Sequence, residues 1–163
     1  MCPRTGLLTP DDDRSCRWAS RIDGAPRGPA VPSRTRLARS GERLAAAHLV
    51  EAHRLEVVAL NRRVAFEDVR GELDVIARDP RTGLLVICEV KSRSARAPGG
   101  ALVTLGPKQQ SRIRRMTAVL LATGDLRATR IRFDLVAIDV APTAPGAGGV
   151  GSRAELTHIA DAW

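Results

Sequence analysis

Two short charged patterns stand out near the middle of the 163-residue chain, Glu72-Leu73-Asp74 and Glu89-Val90-Lys91. Each lies at the edge of a β-type run, 72–78 and 84–91, so alternation puts Glu72 and Asp74 on one face of their strand and Glu89 and Lys91 on one face of the next. Asp79-Pro80-Arg81-Thr82-Gly83 between them carries the Pro and Gly of a turn, which makes the two runs a hairpin. With the turn centred at Arg81 or Thr82, facing residues have numbers that sum to 162 or 163. Asp74 then opposes Glu89 and Glu72 opposes Lys91, with Asp74 and Glu89 about 5 Å apart at Cβ.

Like charges set opposite one another on a sheet destabilise it unless they are neutralised, and Val75, Ile76, Val86, Ile87 and Val90 make the neighbourhood dry. A divalent cation would neutralise them, and oxygen donors suit Mg²⁺ or Mn²⁺. The competing reading is a solvated hairpin face on which Glu72 and Lys91 merely pair. Lysine usage favours the first. Of 26 basic residues 24 are Arg, yet Lys stands at 91 beside the carboxylates, where a compact ammonium can orient water or stabilise charge on phosphate. The other lysine, Lys108, falls with Arg112 and Arg115 on one side of a helical stretch, either a phosphate-tracking stripe or a solvated face.

Other chemistry finds less support. His48, His53 and His158 are too scattered along the chain for a metal triad, and structural or surface roles are expected of them. Cys2, Cys16 and Cys88 show no C-x-x-C spacing, and Cys88, pointing opposite Glu89, reads as a small core residue. Ser40, Ser92 and Ser111 have no recognisable triad partners. Gly146-x-Gly148-x-x-Gly151 matches a dinucleotide fingerprint but lacks the helix, strand and acidic residue that must follow, so it reads as linker.

The elements that position these groups follow from periodicity. A first helix is expected over 37–53, a strand over 55–61, the hairpin, a second helix opened by Pro107 and stopped by Gly124, and a strand over 131–140. The order is helix-β-β-β-helix-β, an α/β class with a mixed sheet flanked by helices. Residues 1–36, with five of the ten prolines and no sustained period, read as a disordered extension. Residues 141–163 read as a Gly/Pro/Ala linker with a short tail that could form one helical turn. The domain is therefore 37–140, with 18 basic and 12 acidic residues of its own. The whole chain carries +8, which favours a polyanionic partner such as nucleic acid. Two Trp, two Phe and no Tyr leave little to stack on single strands, so duplex or branched DNA is the expected target. No apolar run is long enough for a membrane span, Asp11-Asp12-Asp13 interrupts any signal peptide, and a cytoplasmic location is expected.

These residues resemble a known pattern. Asp74, Glu89-Val90-Lys91 and Glu42 on the preceding helix look like the PD-(D/E)xK nuclease signature, whose core order is also helix-β-β-β-helix-β. Gly41-Glu42, Asn61-x-Arg63, Gly71-Glu72-Leu73-Asp74-Val75-Ile76-Ala77, Glu89-Val90-Lys91-x-Arg93, Lys108 and Arg132-Phe133-Asp134 together resemble the YraN family of bacterial endonuclease-like proteins, related to archaeal Holliday-junction resolvases. The resemblance spans about residues 37–140. It implies a restriction-endonuclease-like core in which Asp74 and Glu89 hold a metal, Lys91 positions the nucleophilic water and Glu42 is the additional acid of resolvase-like members. Leu73 stands where that signature has Pro, a variation the superfamily tolerates. The expected function is metal-dependent phosphodiester hydrolysis in DNA, including branched or junction DNA, by a homodimer able to make two cuts. The alternative from another class is a non-catalytic DNA-binding module on the same fold.

Overall fold

A computed structural model describes residues 9–10, 15–22, 34–94, 105–142 and 152–163. Its elements are β1 (Thr9–Pro10), β2 (Ser15–Ile22), α1 (Arg34–His53), β3 (Glu56–Phe66), β4 (Val69–Arg78), β5 (Leu85–Ser94), α2 (Pro107–Ala122), β6 (Ile131–Pro142) and β7 (Ser152–Ile159). The strands form one mixed sheet in the order β1-β2-β7-β6-β5-β4-β3. Only β5 and β6, joined through α2, run parallel among the described pairs.

The expected helix-β-β-β-helix-β order is present from α1 to β6 and defines the α/β, restriction-endonuclease-like core. The central strands are covered on both faces, which is why 84–88 and 135–138 are continuous apolar runs rather than alternating ones. One face packs Val75, Ala77, Val86, Cys88, Val136 and Ile138 under Ala45 and Leu49 of α1. The other packs Leu73, Ile76, Leu85, Ile87 and Leu135 under Ile113, Met116 and Leu120 of α2. Cys88 sits in the α1-side core, as its strand parity requires, and burial pushes its thiol well up.

Two differences from the sequence expectation enlarge the sheet. The tail read as linker with a helical turn contributes β7, which pairs with β6 from Leu135↔Ile159 to Pro142↔Ser152. The cause is visible in its composition: Ala154, Leu156 and His158 are buried while Arg153 and Glu155 are exposed, a period of two that suits a half-buried strand. On the far side of β7 lies β2, from the segment read as disordered, paired from Ser15↔Ile159 to Ile22↔Ser152. The Gly146–Gly151 fingerprint and most of 1–36 lie outside the described residues.

The hairpin register follows from its turn. Asp79 Oδ1 accepts from the Arg81 and Thr82 amides at 2.8 and 3.2 Å, its carbonyl accepts from Gly83 N–H, and its own N–H reaches the Leu84 carbonyl. This clamp sets Arg78↔Leu85, Ala77↔Val86, Ile76↔Ile87 and Val75↔Cys88, pairs whose numbers sum to 163.

Candidate functional site

The ladder between β4 and β5 ends at Val75↔Cys88, one step before Asp74 would meet Glu89. On the other side of β4 the pairing passes from Arg62↔Leu73 to Leu60↔Val75, skipping Asn61 and Asp74. Asn61 takes a left-handed φ of 52°, a conformation that Asn tolerates better than most residues. Leu73 packs on the α2 side and Val75 on the α1 side although they are two residues apart, so the pleat of β4 breaks at Asp74. The freed Val90 amide donates to Asp74 Oδ2 at 2.8 Å instead of to a backbone carbonyl of β4. The break corrects the simple count: Glu72 does not meet Lys91, but lies 3.5 Å from Arg63 on the exposed side of β3.

Lys91 turns to Glu89, Nζ to Oε1 at 2.7 Å, two residues along the same strand face. Glu89 is 7% exposed, and its Oε1 also accepts from Gln109 Nε2 at 2.6 Å, so the first turn of α2 closes over it. Glu42 reaches the group from α1 through Asn61, whose Nδ2 donates to Glu42 Oε2 at 2.8 Å. This needs α1 to lie against β5: a Cβ on Gly41 would fall 1.9 Å from Ser92 Oγ, which is why Gly precedes Glu42.

The structure thus brings Glu42, Asp74, Glu89 and Lys91 together. Burial and then the Glu89 charge push the Asp74 carboxyl up to about 7, with the Val90 N–H pulling the other way, Glu42 adding to the rise and Lys91 offsetting it. Three carboxylates against one ammonium are an under-neutralised, partly dry set of hard oxygen donors. That fits Mg²⁺ or Mn²⁺, with Asp74 and Glu89 the residues to hold it.

Lys108, Arg112 and Arg115 line one open groove of about 550 Å³, opposite Asp68, Val69 and Arg70 at the β3–β4 turn. Arg112 lies across β4, its Nε and Nη2 donating to the Arg70 carbonyl at 3.1 and 2.8 Å. Gly71 leaves room for it, since a Cβ there would meet Met116 Sδ at 2.6 Å and Arg112 Nη2 at 2.8 Å. Arg115 pairs with Asp68 at 2.6 Å and holds that carboxyl low. Lys108 of the groove and Gln109, which bonds to Glu89, both belong to the first turn of α2. Sequence reasoning missed Gln109 entirely and quoted Asn61 without a role. The signal for Gln109 was its place in the first turn after Pro107, where a helix end faces strand residues.

Between α1 and β7 the histidines correct their reading as scattered. His48 and His53 of α1 and His158 of β7 bring one ring nitrogen each to within 4.8 Å of one another. Five residues of helix and a long return through the chain close the gap that the sequence separation suggested. Burial, then the charge of His158, lowers His48 to about 3 and His53 to about 4. Beside them Asp134 accepts from Arg132 Nε and Nη2, both at 2.8 Å, from His158 Nε2 at 2.9 Å and from the Asp161 amide at 3.1 Å.

Fold and site together define an α/β protein with the core order of the endonuclease-like superfamily and a carboxylate-lysine centre on its second and third core strands. A family model described as "Uncharacterised protein family UPF0102" matches residues 41–138, and this chain belongs to that family, the YraN family to which its motifs point. A UPF0102 protein of Mycolicibacterium smegmatis is 35% identical over 128 residues, covering 78% of this chain and 93% of the relative. Another from Syntrophus aciditrophicus is 38% identical over 107 residues, 66% and 79% of the two chains. A third, from Kineococcus radiotolerans, is 39% identical over 106 residues, 64% and 81% of the two chains. No solved structure matches. Among the described residues, no helix is long and apolar enough to cross a membrane.

Proposed function

We propose that the protein hydrolyses phosphodiester bonds in DNA, branched or junction DNA included, with a divalent cation as cofactor. The observation that carries this reading is the convergence of Asp74, Glu89 and Lys91 at a break in the sheet, on a chain whose α2 also lines a groove with basic residues. A bound Mg²⁺ or Mn²⁺ would supply Lewis acidity and an activated water. Asp74 and Glu89 would hold the cation, and Gln109 bonds to Glu89 and restrains its carboxylate. Lys91, half-sheltered on Glu89, positions the attacking water and stabilises charge as it develops on the phosphate. Asn61 holds Glu42 at the margin of the site, where a third carboxylate would strengthen the attraction for a cation. Lys108, Arg112 and Arg115 bind the backbone phosphates of the strand, which makes binding insensitive to base sequence. A resolvase-type reaction needs two cuts, which a homodimer provides.

The test is incubation of the full chain with linear, nicked, flapped and four-way DNA and with RNA, in Mg²⁺, Mn²⁺ or EDTA. Metal-dependent cutting of DNA, lost in Asp74→Asn and Glu89→Gln, supports the reading. No cutting of any substrate, together with DNA binding that survives replacement of Asp74, Glu89 and Lys91, would make the protein a binding module instead.

A further inference from the structure

We propose that His48, His53 and His158 form a second metal site, for a borderline divalent transition-metal ion such as Zn²⁺, between α1 and β7 and separate from the carboxylate centre. The donor atoms are already gathered, with one nitrogen from each ring within 4.8 Å of the others. No two of the rings stack: centroids lie 4.6–5.3 Å apart and ring planes cross at 74–88°. His53 Nε2 and His158 Nδ1 stand 3.0 Å apart. Two nitrogens on a tetrahedral ion with bonds of about 2.0–2.1 Å are separated by about 3.3 Å, so this pair needs only a small opening to bind one.

The rest of the cluster is built as a metal-ligating imidazole requires. His158 gives its Nε2 to Asp134 at 2.9 Å, which leaves Nδ1 turned toward His53. Asp134 is itself pinned by Arg132 and the Asp161 amide, so the ring cannot swing away. A carboxylate behind a ligand histidine fixes its tautomer and raises its basicity, the usual support of a metal site. Arg132 places a cation nearby, but both of its hydrogen bonds to Asp134 match it to an anion. His48 and His158 are 1% and 2% exposed, while the half-buried His53 at the end of α1 leaves a way in. A set of three nitrogens selects Zn²⁺, Co²⁺, Ni²⁺ or Cu²⁺ over the Mg²⁺ or Mn²⁺ that oxygen donors take. Binding takes the place of the hydrogen bond between His53 Nε2 and His158 Nδ1, with the His53 ring staying neutral and carrying its proton on Nδ1, and fastens α1 to β7.

The experiment is a titration of the full chain, stripped with chelator and dialysed, with Co²⁺ and then Zn²⁺, followed by visible absorption and calorimetry. One Co²⁺ per chain with the bands of a tetrahedral nitrogen site, displaced by one Zn²⁺, is expected. His53→Ala should weaken binding about a hundredfold or more, and His158→Gln likewise. His53 lies at a helix end and is only half-buried, so that variant is expected to fold even if His158→Gln does not. The Asp74→Asn/Glu89→Gln double variant should bind Co²⁺ as the wild type does. Absence of stoichiometric binding by the wild type, binding unchanged in a folded His53→Ala variant, or binding lost in the double variant would overturn the proposal.

Discussion

Two aspartates on this sheet, Asp134 fully buried and Asp74 partly so, answer their burial in opposite ways. Asp74 and Asp134 lie on strands either side of β5, one level apart in register, and burial raises the pKa of each. Asp134 nonetheless ends below its ordinary value, because His158 and Arg132 bond to both its oxygens. Asp74 ends near 7, because its one strong donor is the Val90 amide and its close neighbours include Glu89 and Glu42. Burial alone therefore decides nothing; the partners do. A saturated carboxylate holds structure together, and an unsaturated one is left with affinity for a cation or a proton.

The sharpest way to break this contrast is to neutralise each residue in turn. Asp74→Asn or Glu89→Gln should lower cleavage about a thousandfold, roughly 4 kcal/mol of barrier, while metal-free DNA binding persists, as read by single-turnover cleavage and by anisotropy. Retained cutting would mean that the unsaturated pair is not where catalysis occurs. Asp134→Ala should instead act on stability, costing about 3 kcal/mol by stranding Arg132 and His158, a drop of roughly 1–2 M in the urea midpoint.

The two aspartates should also give opposite pH dependences. Between 3.8 and about 7 the folded, metal-free chain keeps a proton on Asp74 that the unfolded chain has lost, so that residue's contribution to stability falls as pH rises through this window. Asp134, whose pKa is lowered, contributes stability above 3.8 that is lost as pH falls through its folded value. At pH 8 without metal, Asp74→Asn should therefore stabilise the chain, on the order of 2 kcal/mol by urea titration, and the gain should vanish near pH 4. A destabilised variant at pH 8 would show that Asp74 is better compensated than its surroundings suggest. The smallest effect belongs to the groove: Arg112→Ala with Arg115→Ala should weaken DNA binding about tenfold across sequences and reduce the salt slope by about 2.

Much of this was legible in the chain. Asp79, Pro80 and Gly83 specify the turn, and the turn specifies the register that brings Asp74 toward Glu89. Lysine scarcity marked Lys91, and helical spacing put Lys108, Arg112 and Arg115 on one side. Alternation could not show that β4 breaks its pleat at Asp74, because the break depends on the left-handed Asn61 of a neighbouring strand and on a side-chain bond to Val90. It placed Glu72 opposite Lys91 for that reason. The histidine cluster was hidden by distance, since His158 lies 105 residues beyond His53. The strand that carries His158 did show a period of two, but it is short and follows a Gly/Pro-rich tract, which outweighed the pattern.

The position of β7 also bears on how the chain comes together. It lies inside the sheet, flanked by β6 and β2, and its partner β2 comes from near the other end of the sequence. Such a pairing has a very high contact order, and the entropy of closing so long a loop is lost before the contact forms. During synthesis β2 emerges early and must wait, unpaired on that side, until residues 152–159 leave the ribosome. Until then β6 presents an open backbone edge carrying the most apolar strand of the protein, the kind of surface that chaperones hold and that nascent chains aggregate through. β7, made after every other described strand, is the one that seals it.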